Sequence, residues 1–324
     1  MEILFLDSSP SVHHDRFVEL FSSIGNVHST FIDLSQEPPA VSFNLILFAD
    51  LDITVDYAIK FSGPKIGLSW AWDLQQTLRP GLAARHKLIK AVNSVDMLIV
   101  DNSSVEHIAI GLGALKRRIF RAPYGIEIEN YSLRRFKNSR AGYLRLYTNR
   151  KWENLYRPQI LLEMAYEFVN SGKSFQLVLA NDGPLRKSLI RKYSSLFDTG
   201  ICTWLGKVSP SQNITELENA DLYVSVSKSD GSSLSLLEAM AIGTPTLVTS
   251  NHANKEWIVD NLTGYLFSGN TGLELAKKIQ DIELDLPVNQ QMPKLAHEKI
   301  SRDANWSLIR QLLLAKVQQI LEEH

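Results

Sequence analysis

Short apolar runs alternating with helical patterns recur along the whole of this 324-residue chain, and that alternation constrains its fold more than any other feature. In the first half the strand-like runs are Ile3–Leu6, His28–Ile32, Leu45–Phe48, Lys65–Leu68, Met97–Val100 and Ile119–Ala122. In the second half they are Leu144–Tyr147, Gln176–Ala180, Ile201–Trp204, Leu222–Val226, Thr246–Val248 and Gly264–Phe267. Stretches between them, such as Pro158–Ser171, place Ile160, Leu161, Met164, Phe168 and Val169 at spacings near the helical period. Strand and helix in strict succession are the sequence form of βαβ units and a parallel sheet. Two similar sets of strands predict an α/β protein of two doubly wound, Rossmann-like domains, and 44% apolar content is enough to bury both.

The expected domain boundary lies between Tyr131 and Ala141, where Leu133-Arg134-Arg135-Phe136-Lys137-Asn138-Ser139-Arg140 is polar and has no apolar period. This gives domains at 1–137 and 138–304. A final helix follows at 305–324, whose Ile309, Leu312, Leu313, Val317 and Ile320 are expected to share a face.

A net charge of −1 argues against a nucleic-acid binder. The lone Cys202 excludes a disulfide framework and reads as a small buried residue beside Trp204. The start Met1-Glu2-Ile3-Leu4-Phe5-Leu6-Asp7 is too acidic for a signal peptide, and no run reaches the roughly 18 apolar residues that span a bilayer. The expectation is a cytoplasmic protein. Charge is nevertheless uneven: residues 1–78 carry three Lys/Arg against ten Asp/Glu, and residues 79–140 twelve against five. Lys116-Arg117-Arg118 with Arg121, and Arg134-Arg135-Lys137-Arg140, are the dense clusters. They read either as solvated faces or as attraction to an anionic acceptor or to the anionic inner face of a membrane.

The stretch from Ala220 to Pro245 carries the chemistry. A strand ending near Val226 opens into the small-residue turn Ser227-Lys228-Ser229-Asp230-Gly231-Ser232 and then a helix beginning near Ser233. Such a turn leaves backbone N–H groups at the positive end of a helix dipole, where a diphosphate can bind. Asp230 precedes the helix and Glu238 lies more than one turn inside it, so the pair can reach different parts of one extended ligand. Spacing alone equally fits an N-cap Asp and an ordinary helical Glu.

Ser227 to Pro245, with Thr249-Ser250-Asn251, Glu256-Trp257-Ile258-Val259 and Leu262-Thr263-Gly264-Tyr265-Leu266, resembles the donor-site signature of the retaining glycosyltransferases of family 4, in the glycosyl transferases group 1. That pattern is a Glu, seven residues, a second Glu, then Ala-Met-Ala-x-Gly-x-Pro; this chain has Asp230 first and keeps Glu238. Ser94-Val95-Asp96, Tyr124-Gly125-Ile126, Asn181-Asp182-Gly183-Pro184, Leu205-Gly206-Lys207-Val208 and Asn305-Trp306-Ser307 match further pieces in the expected order. The likeness covers most of 91–320 and is weak over 1–90. It implies the GT-B fold, two Rossmann-like domains facing a cleft, with the last helix returning to the N-terminal domain. It also implies metal-independent transfer of a hexose-type sugar from a nucleotide sugar to a hydroxyl of a glycan, lipid-linked or polysaccharide precursor, with no cofactor.

By the same resemblance Glu238 binds the ribose, Asp230 the donor sugar, and the backbone of Gly231, Ser232, Ser233, Leu234 and Ser235 the phosphates, with Asn181 and Lys207 beside them. Arg150 stands at the position of a diphosphate-binding Arg. The Lys that should follow is missing: Tyr156 and Arg157 occupy the stretch, and Arg157 either supplies the second cation or caps the helix at Pro158. The donor-sugar His after the fourth strand is replaced by Ser69-Trp70-Ala71-Trp72, so that Trp70 and Trp72 either stack on a sugar or join the core. His13 and His14 follow the first strand on the acceptor side and read as an exposed pair. Asp50-Leu51-Asp52 reads as a turn and helix cap rather than a metal pair, and no metal site is expected. Two rival classes stay open: a glycosidase using Asp230 and Glu238, and a nucleotide-sugar-binding relative without turnover.

Overall fold

The computed structural model describes residues 1–31, 42–75, 82–134, 143–285 and 291–324. Two compact units divide the chain: Met1–Tyr124 with Trp306–His324, and Gly125–Asn305. The first holds six strands, β1 (Glu2–Asp7), β2 (Asn26–Phe31), β3 (Leu45–Ala49), β4 (Lys65–Ser69), β5 (Met97–Val100) and β6 (Ile119–Arg121), in the order β2-β1-β3-β4-β5-β6. The second holds β7 (Leu144–Thr148), β8 (Phe175–Ala180), β9 (Cys202–Gly206), β10 (Leu222–Ser225), β11 (Thr246–Thr249) and β12 (Tyr265–Phe267), in the order β12-β11-β10-β7-β8-β9. Neighbouring strands run parallel in both sheets. The fold is α/β with two doubly wound parallel sheets, as the succession of strands and helices predicts.

Sequence composition explains the placement of the strands. The central β1 and β3 are almost wholly buried, as continuous apolar runs covered on both faces must be, whereas β2, Asn-Val-His-Ser-Thr-Phe, is the polar edge. Helices cover both faces of each sheet, so each unit has two cores. In the second unit Leu146, Leu161, Phe168, Leu177 and Ile279 fill one, and Tyr147, Tyr223, Leu237, Met240 and Ile300 the other. Cys202 is buried there with Trp204 packed against the same core, and burial pushes its thiol up to about 12.

The helix Trp306–Glu323 packs Trp306, Leu313, Val317 and Ile320 into the core of the first unit, against Ile3, Phe5, Phe17 and Phe21 among others. Leu312 is an exception to the expected face, being 64% exposed. Trp306, Leu313, Val317 and Ile320 follow one helical stripe, and one residue back from Leu313 turns about 100° away from it.

The chain passes to the second unit at Gly125, earlier than the polar stretch at 133–140 suggests. Residues 125–134 are already bound to it: Ile126 N–H donates to Ala304 O at 2.8 Å, and Arg134 N–H donates to Ile242 O at 2.8 Å. Arg134 also sends its guanidinium to Ala220 O at 2.5 Å. Arg135, Lys137 and Arg140 lie outside the described residues, as does Ile32 at the end of the second expected strand.

Candidate functional site

In a doubly wound sheet, ligands bind beyond the carboxyl ends of the strands where the strand order reverses. In the second unit that point lies between β7, which pairs with β8 on one side, and β10, which pairs with β7 on the other. Arg150 follows β7, and Asp230 follows β10. The two side chains form an ion pair, and a second guanidinium N–H of Arg150 donates to Ser233 Oγ at 2.7 Å. Their side chains are only 12% and 9% exposed. The Tyr156 ring lies 4.4 Å from the guanidinium, in the stretch where the resemblance implies a Lys. Burial opposes the charge on Arg150, but the charge and hydrogen bond of Asp230, together with the nearby Tyr223 and Tyr156, outweigh it and its pKa is raised.

The helix Leu234–Ile242 opens here with Ser233 at its cap position. Ser233 caps no backbone N–H; its hydroxyl accepts from Arg150 instead. The helix ends on Gly243 at φ 78°, a left-handed residue that stops it cleanly. Glu238, half-buried, accepts from Tyr131 Oη at 2.9 Å and from Asn213 Nδ2 at 3.0 Å. Burial raises its pKa, and those two hydrogen bonds pull it part of the way back. Asn213 Oδ1 in turn accepts from Tyr147 Oη at 2.8 Å and Asn149 Nδ2 at 2.9 Å, and Tyr223 Oη donates to Asn149 Oδ1 at 3.1 Å. The result is a directed chain of donors ending on one carboxylate. Tyr131, Asn149 and Asn213 were missed in the sequence because nothing local marks them: the partners lie 25 to 107 residues apart.

Arg157 is neither a surface residue nor part of the Arg150 cluster. It sits at φ 50°, is buried, and donates to Val226 O at 2.6 Å, Asn270 Oδ1 at 2.8 Å and Thr249 Oγ1 at 3.4 Å. It ties together the segments that follow β10, β11 and β12. Asn181 is left-handed at φ 71° and is fixed through Asn149 O at 3.2 Å and Trp204 Nε1 at 2.7 Å. Two residues on, Gly183 packs so closely that a Cβ would lie 2.6 Å from Trp152 O. Lys207 is exposed, and its charge helps hold the Asp182 carboxyl below its usual value, after hydrogen bonds from Gly183 and Arg186.

The first unit has its own switch point between β1 and β3. His14 is not exposed but 3% accessible: it opens the buried stripe of the helix Val12–Ser22, with Nδ1 3.0 Å from Asp7 Oδ2 and the ring stacked on Phe5. His13 stacks on Trp70 at 5.1 Å and meets Tyr124 edge-on at 4.6 Å; burial, then Arg16, lowers its pKa. Trp70 is packed against the core, whereas Trp72 is 58% exposed. Asp50 stands at the start of the helix Leu51–Ala58 but does not cap it with its side chain, which accepts from Ser8. Asp73 takes that role, accepting from Leu51 N–H at 3.2 Å. Lys116, Arg117 and Arg118 precede β6, at the strand-start end of the sheet and opposite His13, Trp70 and Trp72. Among the described residues no group of three or more His, Cys, Asp and Glu is arranged to hold a metal ion, and no helix is long and apolar enough to cross a membrane.

Residues 148–299, spanning Arg150, Asp230 and Glu238, match the family model of the glycosyl transferases group 1. Over that region, a little under half of the chain, the protein is similar to the glycosyl transferases group 1. A stretch of 98 residues is 31% identical to the alpha-monoglucosyldiacylglycerol synthase of Streptococcus pneumoniae; it spans 30% of this chain and 22% of the relative's length. Two solved structures resemble nearly the whole chain. HepE of Anabaena, in complex with UDP and glucose, has a TM-score of 0.76 at 15% identity, covering 98% of this chain and 100% of that one. Sucrose-phosphate synthase of Thermosynechococcus elongatus has a TM-score of 0.77 at 14% identity, covering 100% of both chains. At such identities the likeness concerns the fold.

Proposed function

We propose that the chain is a retaining, metal-independent glycosyltransferase that moves a hexose-type sugar from a nucleoside diphosphate sugar to a hydroxyl of a glycan, lipid-linked or polysaccharide precursor. The observation that carries this reading is the meeting of Arg150 with Ser233 and Asp230 at the start of a buried helix that bears Glu238 a turn later. Arg150 and the N–H groups from Gly231 to Ser235 neutralise the diphosphate. A diphosphate at Arg150 displaces the Asp230 carboxylate, which then accepts from hydroxyls of the donor sugar. Glu238 accepts from the ribose, and Arg157 holds the strand ends that frame the site. Asn181 and Lys207 border the nucleotide, while Trp70, Trp72 and His13 belong to acceptor recognition in the first unit. In the mechanism that the resemblance implies, the acceptor oxygen bonds to the anomeric carbon on the face from which the bond to the diphosphate breaks, and its proton passes to a leaving phosphate oxygen.

The comparisons support this reading through a family match over the site and through a fold shared with HepE, whose structure contains UDP and glucose. A peripheral contact with anionic membrane is assigned to Lys116 and Arg117, where exposed Ile110 and Leu115 flank the charges. The test is calorimetric titration of UDP, GDP and ADP with and without EDTA. One of them binds equally in both conditions; binding lost with EDTA contradicts metal independence, and no binding of any contradicts the reading as a whole.

A further inference from the structure

We propose that Tyr131 is a positioning residue of the donor site, turning the Glu238 carboxylate so that its remaining lone pairs meet the two vicinal hydroxyls of a ribose. This rests on the reading of Glu238 as the ribose partner. A carboxylate offers about four lone-pair sites, and here one on each oxygen is used: Oε1 by Tyr131 and Oε2 by Asn213. One site per oxygen is left, the number a cis-diol requires. The terminal torsion of a Glu is broad, so a carboxylate held at one oxygen still swings. Donors fixed at both oxygens pin it.

Both donors are themselves fixed. Tyr131 closes the short turn Ile128–Asn130 through its N–H to Ile128 O at 3.0 Å, and its ring packs against the core that contains Ile126, Leu237 and Met240. Asn213 is held by its N–H to Ser209 O at 2.8 Å and by Tyr147 and Asn149 on its side-chain oxygen, which leaves the amide nitrogen to face Glu238. Tyr147 is fully buried and burial raises its pKa, so it remains a hydroxyl donor throughout the working range. Tyr131 comes from the segment entering the second unit, 107 residues before its partner. A plain anchoring role for that segment would need only the ring; the hydroxyl aimed at a site carboxylate is what points to positioning.

The experiment compares UDP, GDP and ADP with their 2′,3′-dideoxy forms by calorimetry on the full chain and on Y131F and E238Q. Y131F weakens the bound ribonucleotide about ten-fold and leaves the dideoxy form unchanged; E238Q abolishes the preference for the ribonucleotide. The acid limb of ribonucleotide affinity also moves to higher pH in Y131F, because the lost donor favoured the charged carboxylate. Equal weakening of both nucleotide forms by Y131F, or of neither, overturns the positioning role while leaving Glu238 in place. An unchanged preference in E238Q overturns the ribose assignment and the positioning role together.

Discussion

Asp230→Asn should strengthen binding of the free nucleoside diphosphate while weakening catalysis. The sign follows from the proposed role of Arg150 as diphosphate ligand: Asp230 is ion-paired with that guanidinium, and both side chains are nearly out of water. Two unit charges about 4 Å apart interact by ~4 kcal/mol at an effective dielectric of ~20. In the proposed pose Arg150 stands between the carboxylate and the phosphates and Asp230 swings aside, so roughly a third of that figure remains, ~1.4 kcal/mol, or about ten-fold in affinity. Asn keeps the shape and one hydrogen-bond acceptor, which limits the damage of leaving Arg150 without its ion partner. Calorimetry of the nucleoside diphosphate against parent and variant reads the gain, and the bare nucleoside, which has no phosphates, should bind both alike. Turnover of the sugar nucleotide should fall at least ten-fold, because the transferred sugar loses its partner. Weakening of the free diphosphate by Asp230→Asn would refute the reasoning, since Asp230 would then be holding Arg150 in place for the phosphates rather than competing with them.

Arg150→Ala should lower diphosphate affinity by at least ten-fold with little change for the bare nucleoside, measured in the same titrations. Gly183→Ala should cost about 1–3 kcal/mol in urea unfolding, because the new Cβ meets the Trp152 backbone rather than a side chain that can move. Asp73, fully buried, should titrate at about 6 by carboxyl NMR. Its folded pKa is raised, so its contribution to stability is complete below pH ~4 and is lost as pH rises through about 6. Anionic vesicles should sediment the protein at low salt and less at high salt, and Lys116→Glu with Arg117→Glu should remove that binding; equal and negligible sedimentation at both salts leaves only a solvated face.

The layout of strands was legible because a buried parallel strand must be a continuous apolar run, as β1, β3, β5 and β10 are, and each of the twelve expected runs overlaps an observed strand, the polar edge β2 included. The turn and helix from Ser227 to Ile242 were legible too, since small residues, a cap position and a terminal glycine are local signals. What the sequence hid is longer in range. Arg157 read either as a second cation or as a cap on the helix at Pro158; its side chain makes no cap hydrogen bond and instead reaches Val226, Thr249 and Asn270, contacts far in sequence that local spacing does not show. His13 and His14 looked exposed because their neighbours are polar, yet helical periodicity carries His14 to the same stripe as Phe17 and Phe21. Asp50 stands in the cap position, but the cap comes from Asp73, which follows the next strand 22 residues from Leu51 and is invisible to local spacing. The Glu238 network joins five segments, around Tyr131, Tyr147, Asn213, Tyr223 and Glu238 itself, and has no signature in any one of them.

Proton NMR of the product formed from a nucleoside diphosphate α-sugar and a hydroxyl acceptor tests the central claim most directly. With EDTA present, the account predicts release of the nucleoside diphosphate and a new glycosidic linkage with the small anomeric coupling of an α-linked sugar. A large coupling, or a reaction that proceeds only with added metal, would contradict it.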